Sequence, residues 1–296
     1  MRNIYVLALL AYVLFSCTDA LVKATGRAHL SVFEISFVIN VVAFGVLLAT
    51  RHEGERWRDF LRTDHTRAVH GRAICGVISG LAAIYAFTSI PMAEAYSIIF
   101  LSPAFVTILS ALVLKERIGI VRWSSVALGF AGVLMVLRPG AQNLAWGHLG
   151  ALATGLAMSG SIIILRGAGR GAKSTSILGT LLLYLLVVSG TMMVVKGVAL
   201  PTGRELGLLA MAGMAYGLGQ WAFLMAPRFG TASQMAPVHY VQLVCAVLFG
   251  AVFFSEYPDA MTLAGVGVIA ASGLVTLARE RRAARLRMLA AAAGKA

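Results

Sequence analysis

Ten runs of about 20 mostly apolar residues follow one another along the chain, and this leaves it few ways to fold. A run of that length crosses a bilayer as a helix, because in lipid every backbone N–H and C=O must find an internal partner. The runs are residues 4–25, 32–50, 73–90, 93–114, 120–137, 147–165, 176–195, 206–226, 231–254 and 261–278. The chain of 296 residues is 59 % hydrophobic and 12 % charged, against about 25 % charged for an average soluble domain. An all-α polytopic membrane protein is expected, with the lipid bilayer as its main partner. The net charge of +13 does not point to nucleic acid, since Lys and Arg fall between apolar runs and in the tail without interleaved aromatics. Cys17, Cys75 and Cys245 each lie inside an apolar run at no metal-ligand spacing, so they read as small core residues. The first run carries Asp19 and Lys23 and lacks a small-x-small site, so it reads as a span and not a cleavable leader.

Basic residues fix the expected orientation. One side holds Arg2, six arginines between residues 51 and 72, Lys115, Arg117, Arg122, Arg166, Arg170, Lys173, Arg228 and six basic residues of the tail. The other holds Lys23, Arg27, Arg138, Lys196 and Arg204. Both termini are therefore expected in the cytoplasm of a bacterial cell, with the protein in its inner membrane. Residues 51–72 form the one long connection, and the basic tail 281–296 is placed against anionic headgroups or in solvent.

The halves repeat weakly. At a spacing of about 140 residues Glu116 falls on Glu256, and near 143 Ser16 falls on Ser159 and Lys23 on Arg166. Each half holds an odd number of spans, five, so the second enters the membrane upside down relative to the first. Such inverted repeats build two gates around a midplane site in secondary transporters. The expected units are 1–140, 141–280 and the tail 281–296.

Particular stretches carry a family resemblance: TDALVK from Thr18, SIPMAEAYSIIFLSPAF from Ser89, LKER from Leu114 and GFAGVLMVLRPG from Gly129. In the second half they are APVHYVQLVCAVLFGAVFFSEYP from Ala236 and AGVGVIAASG from Ala264. Across its whole length the chain resembles the drug/metabolite transporter superfamily in its ten-span, EamA-type form. Within it the chain looks most like the YddG-type aromatic amino-acid exporters. The resemblance implies two inverted five-helix repeats and export of amino acids, aromatic and other neutral ones, or of related small metabolites by alternating access. One position departs: where relatives often carry an Arg in the second span, FEISFVIN has Ile39 and Asn40, so a role built on that Arg does not carry over.

Candidate site residues follow from polar groups in apolar runs, which are costly and mark function or pairing. Asp19 stands one helical turn before Lys23, which suits either an ion pair or coupling and amine binding. Glu94 opens the fourth span, where a helix N-terminus favours a carboxylate, and is a further coupling or ion-pair candidate. Ser79, Tyr85, Tyr96, Ser97, Tyr216, Gln220, Trp221, His239 and Gln242 are expected to line a pocket for a small polar solute with an apolar side chain. Pro103 in the fourth span and Pro237 in the ninth remove helix hydrogen bonds, and their freed carbonyls are expected to face substrate. Gly76 and Gly80, at helix-packing spacing, join Pro103, Gly217, Gly219 and Pro237 as expected hinges.

No phosphate loop, metal-ligand pair or nucleophile motif is present, and GLGQW from Gly217 lacks the strand context of a nucleotide fingerprint. No metal, no cofactor and no enzyme activity are therefore expected, and a monomer with a small-molecule substrate is. Import of S-adenosylmethionine or a vitamin is the alternative solute reading; a passive channel or an intramembrane enzyme is the alternative class. The charge pattern makes a direct prediction. Single cysteines placed in residues 51–72 and in the tail should react only from the cytoplasmic side; a periplasmic tail would overturn the orientation.

Overall fold

The structure, a computed structural model, describes residues 2–26, 29–50, 66–116, 118–138, 145–168, 174–229 and 232–293. The regular structure of these segments is helix: α1 (Arg2–Thr25), α2 (Val32–Ala49), α3 (Thr66–Phe87), α4 (Met92–Ile99), α5 (Ser102–Leu112) and α6 (Ile120–Leu137) form the first half. The second half has α7 (Trp146–Ala168), α8 (Ser174–Lys196), α9 (Gly203–Met225), α10 (Ala232–Met235), α11 (Val241–Phe254) and α12 (Ala260–Ala293). Among the described residues nine stretches are long and apolar enough to cross a membrane, and the shorter apolar helix Arg122–Leu137 is the tenth. The fourth span is α4 with α5; the ninth is α10 with α11.

Two expectations change. The third span begins at Thr66, so Arg67 and Arg72 belong to a helix and not to a surface connection; residues 51–65 lie outside the described residues. The last helix runs without a break from the span into the tail as far as Ala293. The expected unit boundary at residues 140 and 141 lies outside the described residues.

Local sequence sets the ends. Ser31 and Thr202 each cap a helix, and Glu34 and Glu205 reach back to the cap N–H to complete a capping box. Pro91 sits just before α4 and Pro103 in the first turn of α5, where a missing N–H costs nothing. Pro103 therefore does not interrupt a helix from within: α4 has already ended at Ile99, and Pro103 is exposed. Pro237 opens a 3-10 turn, Val238–Tyr240, that joins α10 to α11. The ninth span is thus broken at its proline, whereas the fourth is broken three residues before its own.

The eight-residue α4 is the centre of the molecule. Met92, Ala93, Ala95, Tyr96, Ser97, Ile98 and Ile99 are all buried, the pattern of a helix surrounded on every side. It packs against α7, α11, α6, α12 and α3. Its broken C-terminal end is received by the small residues of α7. A Cβ at Gly155 would stand 3.2 Å from the Ile99 carbonyl, and Ser159 Oγ donates to the Ser102 carbonyl at 2.9 Å. The Ile99 carbonyl, expected to face substrate, is thus turned to a neighbouring helix.

The two halves correspond. Lys115 and Ser255, 140 residues apart, both take left-handed backbone, at φ 53 and 55. The N–H that follows each, Glu116 or Glu256, closes on the carbonyl six residues back, Ser110 at 3.1 Å or Gly250 at 2.9 Å. The fifth and tenth spans cross through facing glycines. A Cβ at Gly132 would lie 2.9 Å from the Gly265 carbonyl, and one at Gly265 would lie 2.7 Å from the Gly132 carbonyl. This contact is backbone on backbone, as in close-packed membrane helices. Gly265→Leu should therefore lower stability by about 1–3 kcal/mol or more, read as thermal unfolding in detergent. The same change at Gly267, with nothing within 4 Å, should be tolerated.

Candidate functional site

Tyr96, in the middle of α4, is the hub of a buried polar network. Its hydroxyl donates to the Asp19 carboxylate from α1. The same oxygen lies 3.4 Å from Ser16 Oγ and accepts from Gln242 Nε2 of α11 at 3.4 Å. One phenol thus ties together α1, α4 and α11, and its partners come from both halves. Asp19 does not pair with Lys23, as their spacing suggested. Lys23 is one turn nearer the helix end and turns to other partners.

Rings surround this network. His239 stacks on Phe100 at 4.5 Å and lies 4.8 Å from Tyr12. Tyr12, Phe15 and Phe223 pack edge-on or tilted at 6.1–6.4 Å, and Phe15 reaches Tyr216 at 6.0 Å. Tyr96 itself lies 5.0 Å from Phe87. Tyr216 stands one helical turn before Gln220 and is within electrostatic reach of both Asp19 and Arg72. Arg72, well inside α3 and half-buried, meets no carboxylate among the described residues. The second span offers no cation, since Asn40 there is buried and donates to the Ser36 carbonyl at 2.7 Å. The cation beside Tyr216 comes from α3 instead.

The expected pocket residues thus divide. Tyr96, Tyr216, Gln220, His239 and Gln242 gather with Asp19. Ser97 is fully buried and returns its hydroxyl to the Ala93 carbonyl at 2.6 Å. Tyr85 packs on Gly150 of α7, and the Ser79 carbonyl accepts from Thr154 on the same helix. Trp221 continues the outward row of Met211, Met214 and Leu218, which are 53 %, 51 % and 39 % exposed, and joins none of the ring contacts among the described residues. Its neighbour Gln220 faces inward because one residue turns a helix by about 100°. Gly76 and Gly80 meet Leu181 and Leu185 of α8. Gly217 meets Val46, and Gly219 meets Phe15. All four are contact points in unbroken helices, so the breaks lie at Phe100–Leu101 and around Pro237.

At one end of the bundle, the Lys23 end, charged pairs join the halves. Lys23 Nζ is 2.7 Å from Glu256 Oε1 and donates to the carbonyls of Ile90 at 2.7 Å and Phe87 at 3.4 Å. The other Glu256 oxygen accepts from the first N–H of α4, at Met92. A cation therefore meets the C-terminal carbonyls of α3 and an anion meets the N-terminus of α4, each the favoured sign. Glu94 lies 2.9 Å from His148 Nε2 of α7, and Arg138 pairs with Asp259 at the start of α12. The Arg138 guanidinium beside Asp259 holds its carboxyl well below the usual range. A cleft of about 270 Å³ opens here, lined among others by Pro91, Glu94, Arg138, Gly250, Glu256 and Asp259. Among the described residues no group of three His, Cys, Asp or Glu is placed to hold a metal.

Ten apolar helices in two inverted halves, with a polar and aromatic centre and charged pairs at one end, define a polytopic membrane transporter. The chain belongs to the EamA-like transporter family, whose profile matches residues 2–138 and 145–278. It is similar to a riboflavin transporter of Rhizobium johnstonii, 28 % identical over 208 residues, which are 70 % of this chain and 67 % of that one. The pseudopaline exporter of Pseudomonas aeruginosa is 29 % identical over 279 residues, 93 % of this chain and 96 % of that one. An S-adenosylmethionine uptake transporter of Rickettsia bellii is 27 % identical over 286 residues, 93 % of each chain. A solved crystal structure superposes with a TM-score of 0.64 at 21 % identity, covering 95 % of this chain and 99 % of that one, and shows the fold alone.

The ring geometry separates two residues that composition treats alike. His239→Ala should lower transport of every accepted solute, whereas Trp221→Ala should leave it near wild type. Initial rates in proteoliposomes, with folding checked by size exclusion, would measure both.

Proposed function

We propose that the protein is a secondary transporter of the bacterial inner membrane, with both termini cytoplasmic. It exports amino acids, aromatic and other neutral ones, or related small metabolites by alternating access. The observation that carries this reading is the buried Asp19, held by Tyr96 beside a run of stacked rings, with Arg72 of α3 within electrostatic reach of Tyr216 on the same run. A carboxylate suits a substrate ammonium and a guanidinium suits a substrate carboxylate. The rings of Tyr12, Phe15, Phe100 and His239 give an apolar wall. Such a wall discriminates weakly, about 1–3 kcal/mol per methylene, so several side chains are accepted. The ion pairs Lys23–Glu256 and Glu94–His148 hold helices of the two halves together at one end, as a gate in alternating access would.

A second reading has its own support. The relatives named for S-adenosylmethionine uptake and riboflavin transport move larger solutes with flat heteroaromatic rings, and the His239–Phe100 stack suits a flat ring as well. The two readings part on the charged groups. S-adenosylmethionine carries an amino-acid end that Asp19 and Arg72 would hold; riboflavin has none.

Counterflow in proteoliposomes against tryptophan, phenylalanine, threonine, S-adenosylmethionine and riboflavin tests this. Amino acids should exchange in both directions. Asp19→Asn and Arg72→Gln should each slow them by about 10–100-fold, the worth of one charged hydrogen bond. Riboflavin transport indifferent to both variants, with amino acids inert, would replace this reading with the second.

A further inference from the structure

Helices α1 and α4 are joined twice, one helical turn apart on each. The inner joint is Tyr96, whose hydroxyl donates to Asp19 Oδ2. The outer joint lies four residues on along α1 and four back along α4. There Lys23 meets Glu256 Oε1 at 2.7 Å, while Glu256 Oε2 accepts from the Met92 N–H at 3.0 Å. Among the described residues, α1 gives the apolar cluster around Tyr96 and Met92 one side chain, Ala20, between the two joints. The hold of α1 on these turns of α4 therefore rests on polar contacts. Both helices are unbroken between the joints, so the two form and part together.

The inner joint uses half of the carboxylate. Among the described residues nothing hydrogen-bonds Asp19 Oδ1. Asp19 is half-buried, yet it stands on the face of α1 opposite Leu10, which is 43 % exposed, so the space it borders lies inside the bundle. Tyr216 and Gln220 are half-buried in the same way, on the face of α9 turned from the exposed Met211. One Asp19 oxygen is thus held in place by Tyr96, and the other is left for a cationic group arriving from within.

We propose that Tyr96 couples the charge on Asp19 to the Lys23 gate: a substrate ammonium on Oδ1 loosens the inner joint, and with it the outer joint one turn away. The inference rests on the reading above that an amine-bearing solute binds at Asp19. A hydrogen bond to an ionised carboxylate is about twice as strong as one between neutral groups. An ammonium on Oδ1 offsets the carboxylate charge and removes that advantage from Oδ2. The released hydroxyl has another partner 3.4 Å away, the Gln242 amide on α11. A solute without an ammonium group does not trigger the release, so Tyr96 also selects what opens the gate.

Spin-label distances in proteoliposomes test this. With the native cysteines replaced by serine, labels at Leu200 and Tyr257, which are both 77 % exposed, report the Lys23 end. Tyr257 follows Glu256 directly, and Leu200 follows the α1–α2 turn because its carbonyl lies 2.9 Å from His29 Nε2. In wild type, saturating phenylalanine should raise the long-distance population about 5-fold, the difference between a charged and a neutral hydrogen bond. Phenylpropionate, the same molecule without its ammonium, should change nothing. Tyr96→Phe keeps the ring beside Phe87 and removes only the hydroxyl, and Asp19→Asn removes only the charge. Each should show the long population without solute and no further rise with phenylalanine. Lys23→Met should show it too, and distances unmoved by that change would mean that the outer joint holds no gate. A Tyr96→Phe variant that answers phenylalanine as wild type does would reduce Tyr96 to a structural contact and overturn the coupling. So would an equal rise with phenylpropionate, or wild-type distances in Asp19→Asn. If phenylalanine exchanges in counterflow while the wild-type distances stay fixed, the coupling fails and the transport reading stands. If no amino acid exchanges, the transport reading fails and takes the coupling with it.

Discussion

A helix that stops in the middle of a membrane exposes carbonyls that water cannot reach, and the rest of this structure is arranged around meeting that demand. The fourth span stops at Ile99. Its Ile99 carbonyl is covered by Gly155, and just past the break the Ser102 carbonyl accepts from Ser159, both on α7. At the other end of α4 the first N–H is taken by Glu256, carried from the far half of the chain. An eight-residue helix is too short to hold itself. It persists because helices from both halves complete its backbone, and so it sits where the halves meet. Tyr96, at its middle, inherits that position, and its hydroxyl reaches partners on α1 and α11 at once.

The charged ends follow the same logic. Lys23, Glu256, Glu94, His148, Arg138 and Asp259 are arranged as cation on carbonyl end, anion on amide end, and acid against base across the halves. Exposed ion pairs contribute little by themselves. Here the Lys23 side chain is only 12 % exposed and Glu256 23 %, and each is also bonded to backbone. Removing either partner would leave the other with backbone dipoles of the right sign but no counter-charge.

Length and apolarity made the helices legible, because lipid tolerates so few alternatives. The broken fourth and ninth spans were legible through Pro103 and Pro237, but the position of the first break was not. A proline fits the first turn of a new helix as readily as it disrupts an old one. The site was half legible. Polar residues in apolar runs marked Asp19, Tyr96, Gln220, His239 and Gln242. Their partners could not be read, since spacing along a helix reports only neighbours one turn away. That is why Asp19 looked paired with Lys23, while its partner Tyr96 lies 77 positions along the chain. Arg72 and His148 were passed over because a charge at the edge of an apolar run reads as a flank. Trp221 was included for its chemistry, and the turn of α9 sets it, half-buried, in line with the exposed Met211, Met214 and Leu218.

Lys23 has a further consequence. Its ammonium sits at the mouth of the bundle on a flexible stem of four methylenes, and its counter-charge sits beside it. When the two part, each swings into the adjoining water at the same depth. No net charge is carried through the hydrocarbon, where crossing would do work of about 2.3 kcal/mol per charge per 100 mV. A separation of this pair at one depth would by itself move no net charge across the membrane, and so would add nothing to a voltage dependence of the transport cycle.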